Sequence, residues 1–251
     1  MIDGSSAETI VRGRDGNGDA VTARTRFRIA SMSKSTTATA IMLLVDRDRV
    51  LRDDPVVTYL PDLRMADPRC TAITVRRLLS HTSGLSDSTN DEYVFPPPRG
   101  TRAVVAGPAG KTLAAAPDTR WEYHNTNYSI AARIVEVVSG RPFDAFLRAE
   151  LLTPLGMTGT GSTPGCSDGA QGLPSGFEVV LGVAVAVPEM PGTCVGNGGV
   201  ISTLEDTVRW VRFNQGTWGG GPAERRLRCF RRDGRKPVQL TGTALAERTG
   251  E

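Results

Sequence analysis

Residues 27–34, Phe27-Arg28-Ile29-Ala30-Ser31-Met32-Ser33-Lys34, constrain this chain more than any other stretch, because the hydrophobic period changes within them. Over 26–30 charged and apolar residues alternate, the period of a short strand. From Met32 onward, Met32, Ser35, Thr36, Thr39, Met42 and Leu43 fall one helical turn apart. Ile41, Leu44 and Val45 close an apolar end, so a helix is predicted over 35–45. Ser31 then stands where strand hands over to helix, with Lys34 one turn further along the same face. A serine at a helix start has backbone N–H groups and the positive end of the dipole beside it, which suits a developing oxyanion. A lysine within reach of its hydroxyl can serve as proton acceptor once burial disfavours its charge. The same spacing also describes an N-cap followed by a solvated lysine, so the rest of the chain has to decide.

At 251 residues there is room for one large domain or two interleaved lobes. A net charge of +3 is too small to argue for nucleic acid, and its cations crowd a late segment from Arg225 to Lys236. No apolar run approaches the roughly 18 residues of a membrane span. The N-terminus shows no charged-then-apolar export pattern. Cys70, Cys166, Cys194 and Cys229 contain no Cys-x-x-Cys pair, so they supply neither a zinc nor a redox motif, and their pairing stays open.

Taken in order, residues 2–25 read as strand and turn, with Asp15-Gly16-Asn17-Gly18-Asp19 as a hairpin turn. That run resembles the start of an EF-hand loop, but Ala20 replaces the sharp-turn glycine and Arg26 the bidentate glutamate. Asp53-Asp54-Pro55 marks a helix start. Thr74 opens a helix through Leu79 that stops at His81-Thr82-Ser83-Gly84. There Gly84 suits a left-handed cap, and His81 is expected to bond free carbonyls rather than act as a base. Residues 86–112 read as a polar, proline-rich loop. Its Gly107-Pro108-Ala109-Gly110-Lys111-Thr112 imitates a phosphate loop, but Val105 replaces the leading glycine and no hydrophobic strand precedes it.

Residues 117–128 include Tyr123-His124-Asn125, where Tyr123 and Asn125 project to one side of an extended segment and His124 to the other. A phenol beside an amide can exchange a proton and hold an acyl group; taken alone it reads equally as a buried tyrosine. Helices are predicted over 129–139, ended by Gly140, and over 143–152. Residues 158–176 are loop. Within them Gly165-Cys166-Ser167-Asp168-Gly169 has nucleophile-elbow spacing, yet strand and helix are missing around it and no histidine follows His124. Ser167 is therefore read as a loop serine. Residues 177–187 form a valine-rich strand, 194–201 a close turn, and Thr203 caps a helix through Trp210 to Phe213.

Together, five motifs resemble the serine beta-lactamase and penicillin-binding protein superfamily. They are Ser31-x-x-Lys34, Leu79-Ser80-His81-Thr82-Ser83-Gly84-Leu85, Tyr123-x-Asn125 with Asn127-Tyr128, Pro154-Leu155-Gly156-Met157, and Gly198-Gly199-Val200-Ile201-Ser202-Thr203. The nearest branch is the class C beta-lactamase-like serine hydrolases, which include D-alanyl-D-alanine carboxypeptidases and esterases. The resemblance covers about residues 20–215. It implies an α+β, beta-lactamase/transpeptidase-like fold: an antiparallel sheet flanked by helices, with an inserted mostly helical lobe. It also implies Ser31 as the acylated nucleophile, Lys34 as proton relay, Tyr123 as general base and Asn125 as the residue that positions the substrate amide. No metal or cofactor is implied, and the expected partner is a small-molecule or peptide substrate with an amide or ester bond. Such proteins usually work outside the cytoplasm.

The hydrolase domain is expected over 1–215, with 216–251 as an atypical basic tail lacking a clear period. The family's third motif, a lysine or histidine two residues before a glycine, is expected on a strand beyond Gln215. Leu240-Thr241-Gly242-Thr243 is the match, with leucine replacing the cation or imidazole, so the fold is expected to be incomplete at its C-terminus. Losing one oxyanion donor costs about 10²–10³ in kcat. The alternative function is therefore a truncated, non-catalytic homologue that keeps part of the fold.

Overall fold

The computed structural model describes residues 2–3, 6–16, 18–89, 100–163, 173–174, 176–187 and 195–216. Strand β1 (Ile2–Asp3) pairs antiparallel with β2 (Ser6–Ala7). The predicted hairpin turn follows. Gly18 N donates to Asp15 O at 3.0 Å and Asp19 N to Asp15 Oδ1 at 2.9 Å, so that aspartate is engaged by its own turn.

Strand β3 (Phe27–Arg28) is shorter than the sequence pattern, because Ala30 adopts a left-handed φ of 44° and turns the chain out of extension. A 3-10 turn (Ala30–Met32) leads directly into α1 (Ser33–Asp46), which begins two residues before the predicted start. Much of α1 is buried although it is rich in threonine. Thr36 Oγ1 donates to Ser33 O at 2.7 Å and Thr39 Oγ1 to Ser35 O at 2.9 Å, which lets hydroxyls enter the interior satisfied.

Pro55 opens only a 3-10 turn (Val56–Thr58) rather than a longer helix. Helix α2 (Val75–Leu79) begins as predicted, with Thr74 Oγ1 accepting from Arg77 N at 3.3 Å. Two residues are left-handed at its exit: Gly84, φ 86°, as expected, and also His81, φ 58°. Gly84 also meets a second need, since a Cβ there would lie 2.2 Å from Ala115 O. Helix α3 (Gly100–Ala106) occupies part of the predicted loop. Its Thr101, Val104 and Val105 are one turn apart and buried, a period too brief to read after three prolines.

Helix α4 (Thr126–Ser139) starts three residues before the predicted 129 and ends at Gly140, φ 70°, as expected. It packs against α1, α2 and α3, and against α5 (Phe143–Leu147). A π-helical turn (Arg148–Leu152) completes the predicted 143–152 helix. After β4 (Gly161–Ser162), the single strand predicted over 177–187 is instead a hairpin of β5 (Gly176–Val180) and β6 (Val183–Val187). It reverses at Leu181 and Gly182, whose φ values of 51° and 81° fit a tight two-residue turn. Strand β7 (Val200–Ser202) precedes α6 (Leu204–Gln215), where Thr203 Oγ1 accepts from Asp206 N at 3.2 Å.

β7 is central in an antiparallel sheet ordered β3-β7-β4, with Phe27 opposite Ser202 and Ser162 opposite Val200. The main core joins α4 (Ile130, Ile134) to α1 (Ile41, Leu44) and α2 (Val75, Leu78). This is the expected α+β arrangement of antiparallel sheet and helices, beta-lactamase/transpeptidase-like. Among the described residues no helix is long and apolar enough to cross a membrane. Cys70 is buried and free. The other three cysteines, Ser167, the 216–251 tail beyond Gly216 and the Leu240-Thr241-Gly242 segment lie outside the described residues.

Candidate active site

Val200 holds the Ser31 turn on both sides. Ile29 N donates to Val200 O at 3.0 Å, and Val200 N donates to Ser33 Oγ at 3.0 Å. Ser31 lies between these anchors, exposed, just after the left-handed Ala30. Left-handed backbone at a non-glycine residue costs on the order of 1–3 kcal/mol and persists where its surroundings over-determine it. Here those surroundings are the β7 contacts.

Lys34 sits in the first turn of α1 and is 6% exposed. Its ammonium donates to Ser31 Oγ at 3.1 Å, Asn125 Oδ1 at 2.7 Å and Asn197 O at 2.9 Å. An ammonium has three N–H donors, and each has an acceptor here. On the other side of the serine, Tyr123 Oη lies 2.7 Å from Ser31 Oγ and donates to Asn125 Oδ1 at 3.3 Å. The Lys34 nitrogen is also 4.7 Å from the Tyr123 ring centroid. The four side chains singled out in the sequence therefore meet around one hydroxyl. Asn125 is helical (φ −66°, ψ −34°) rather than extended, yet its amide still meets the phenol. His124 points away and is fully buried, with Nε2 3.2 Å from Asp87 Oδ1.

Asn197 is a contributor that the sequence did not single out, because it acts through a main-chain oxygen. The turn that carries it rests on α4 at Gly196, φ 79°, where a Cβ would lie 2.5 Å from both Tyr128 O and Ala132 Cβ. Thr37 Oγ1 donates to Gly196 O at 2.7 Å and Asn197 Nδ2 to Ser129 Oγ at 2.9 Å, which fixes the turn over Lys34. The readable signal is the glycine-rich run over 196–199.

His81 bonds a helix-end carbonyl through its backbone, N donating to Leu78 O at 3.2 Å, but its ring is directed elsewhere. Its left-handed backbone swings the ring towards residues 121–128, where Nδ1 accepts from His124 N at 3.3 Å. Burial, then the nearby charges of Lys34 and His124, takes its pKa down to about 4, so the ring is neutral at pH 7. Burial, then Tyr123, pushes the Tyr128 phenol up to about 12, and it donates to Leu79 O at 3.0 Å. Chemically, a hydroxyl flanked by an ammonium and a phenol oxygen can lose its proton to the phenol side while the cation steadies the oxygen that remains.

The Beta-lactamase family profile matches residues 7–248. Penicillin-binding protein 4 of Amycolatopsis lactamdurans is 38% identical over 146 residues, covering 57% of this chain and 37% of its own length. A D-stereospecific amidohydrolase from Streptomyces sp. superposes with a TM-score of 0.66 at 25% identity, covering 79% of this chain and 64% of that one. The octameric penicillin-binding protein homologue from Pyrococcus abyssi gives 0.63 at 25% identity, covering 79% and 46%. Against three curated relatives, the chain spans 33% to 38% of their length. With the profile spanning most of its length, the chain belongs to the beta-lactamase family, among the penicillin-binding proteins and class C beta-lactamase-like serine hydrolases.

Proposed function

We propose that the chain hydrolyses amide or ester bonds, in a beta-lactam, a D-alanyl-D-alanine peptide or an ester, through an acyl-enzyme on Ser31. The observation that carries this reading is the Ser31 hydroxyl, 2.7 Å from the Tyr123 oxygen and 3.1 Å from the Lys34 nitrogen. In the proposed sequence Ser31 Oγ bonds to the carbonyl carbon as its proton passes to the Tyr123 oxygen, which hands on its own. The bond to the leaving group breaks, and that group takes the proton from Tyr123. Water then attacks the acyl carbon and gives a proton to Tyr123, the bond to Ser31 breaks, and Ser31 recovers the proton. Lys34 steadies Oγ throughout, and Asn125 orients the substrate amide. The names of the relatives, a penicillin-binding protein and an amidohydrolase, fit that bond class.

Leu240, standing where the family's third motif has a cation or imidazole, favours a second reading in which the chain is a non-catalytic homologue. A chromogenic cephalosporin and p-nitrophenyl acetate, tested on wild type and Ser31→Ala, separate the two. Turnover that the substitution abolishes supports the hydrolase. No turnover, with no labelling by a fluorescent penicillin, supports the second reading.

A further inference from the structure

No step of the proposed reaction uses residues 79–85, yet that motif lies against the site, and His81 makes the contact. Its ring stacks on Tyr123, with centroids 4.8 Å apart and planes at 30°, and meets Trp121 edge-on at 6.1 Å. Glu122 N donates to His81 O at 2.8 Å, and His124 N donates to His81 Nδ1 at 3.3 Å. The residues on either side of Tyr123 are thus bonded to the backbone and the ring of one histidine. Because a backbone amide can only donate, Nδ1 is an acceptor and the ring proton belongs on Nε2. Asn127 supports the same nitrogen: its Nδ2 lies 3.3 Å from Nδ1 and donates to His124 O at 3.2 Å. Asn127 Oδ1 in turn accepts from Ser83 Oγ at 2.6 Å. Two separate motifs are joined through this network.

Tyr123 needs such support. Its side chain is 43% exposed, and displacing a reacting group by about 1 Å can cost on the order of 10² in rate. We infer that His81 is a positioning residue for Tyr123, clamping both neighbours of the tyrosine and stacking on its ring so that the phenol oxygen stays at Ser31. This rests on the acyl-enzyme reading above. Its left-handed φ lets one residue present carbonyl and ring to the same segment. The low pKa noted earlier keeps Nδ1 an acceptor at neutral pH.

The test follows the Ser31 adduct by intact mass after adding a penicillin or p-nitrophenyl acetate, reading both its rate of formation and its final extent. His81→Asn keeps a side-chain acceptor and tolerates the left-handed backbone, but has no ring. It is expected to reach wild-type extent with a rate constant lower by about 10–10²-fold. A structural role alone would lower the extent and leave the rate constant unchanged, and that result overturns the inference. His81→Phe retains a flat ring and serves if the asparagine variant does not fold. A rate constant well above that of a ringless variant, His81→Ala included, supports stacking, whereas equal rates overturn it. A wild-type chain that neither reagent acylates overturns the hydrolase reading, and this inference with it.

Discussion

Lys34 donates a hydrogen bond at 2.9 Å to the main-chain oxygen of Asn197, a residue 163 positions later in the chain. That bond completes the acceptor set of a buried ammonium and makes the turn before β7 part of the site. Gly196 decides whether the turn can lie close enough, since a Cβ there meets α4 at 2.5 Å. Gly196→Ala is expected to cost at least about 1–3 kcal/mol from its backbone conformation alone, and more from the clash. Urea midpoints read that loss. Ester hydrolysis per folded molecule should fall as well, because the carbonyl moves away from Lys34. Unchanged hydrolysis would detach the turn from the chemistry.

Lys34 itself is expected to matter far more for rate than for folding. Lys34→Met should lower kcat for p-nitrophenyl acetate by about 10²–10⁴. Lys34→Arg should not restore it, because a planar fork cannot meet three acceptors grouped around one point. Comparing kcat with thermal midpoints for both variants checks this, and an active Lys34→Arg enzyme would argue against the proposed role of Lys34 at Oγ.

The interior depends on α4, whose Ile134 is fully buried in the core shared with α1 and α2. Ile134→Ala is expected to destabilise the protein by about 2–5 kcal/mol. Equilibrium urea denaturation measures it, with the site geometry lost only as the fold is lost.

His81 also gives stability a pH dependence. Its folded pKa of about 4 lies below the ordinary histidine value of 6.5, so between these values the unfolded chain binds the proton and the folded chain does not. Stability should therefore decline as pH falls from about 6.5 to about 4, by on the order of 3 kcal/mol, and show no further loss from this group below that. Around the ring, the titratable groups are Lys34, Tyr123, His124 and Tyr128. Urea midpoints against pH should slope less steeply through this window in His81→Asn than in wild type. Parallel curves would count against the assignment.

Much of the site was legible because local spacing carried it. Ser31 and Lys34 stand one turn apart whatever the tertiary structure, and Tyr123 and Asn125 are two residues apart beside a helix start. The distant contribution was less visible. Asn197 acts through its carbonyl, a group every residue owns, so only the surrounding glycines hint at it. His81 was misread because sequence offers its helix-end position but not its left-handed φ, which turns the ring away from α2. The hairpin of β5 and β6 was hidden by Leu181, an apolar residue at a turn position where Asn or Asp is the usual marker. α3 was masked by its shortness.

Connectivity of the sheet has a temporal consequence. β7 separates β3 from β4 but is made after both, so neither has its neighbour until the ribosome has passed Val200. At about 5–20 residues per second, Ser31 leaves the exit tunnel long before Val200 is available to brace it. The newborn polypeptide should accordingly pass through a chemically silent interval. Ribosome-bound chains stalled before Val200 are expected to take up no acyl probe, and uptake by such chains would show that the serine is armed without its brace.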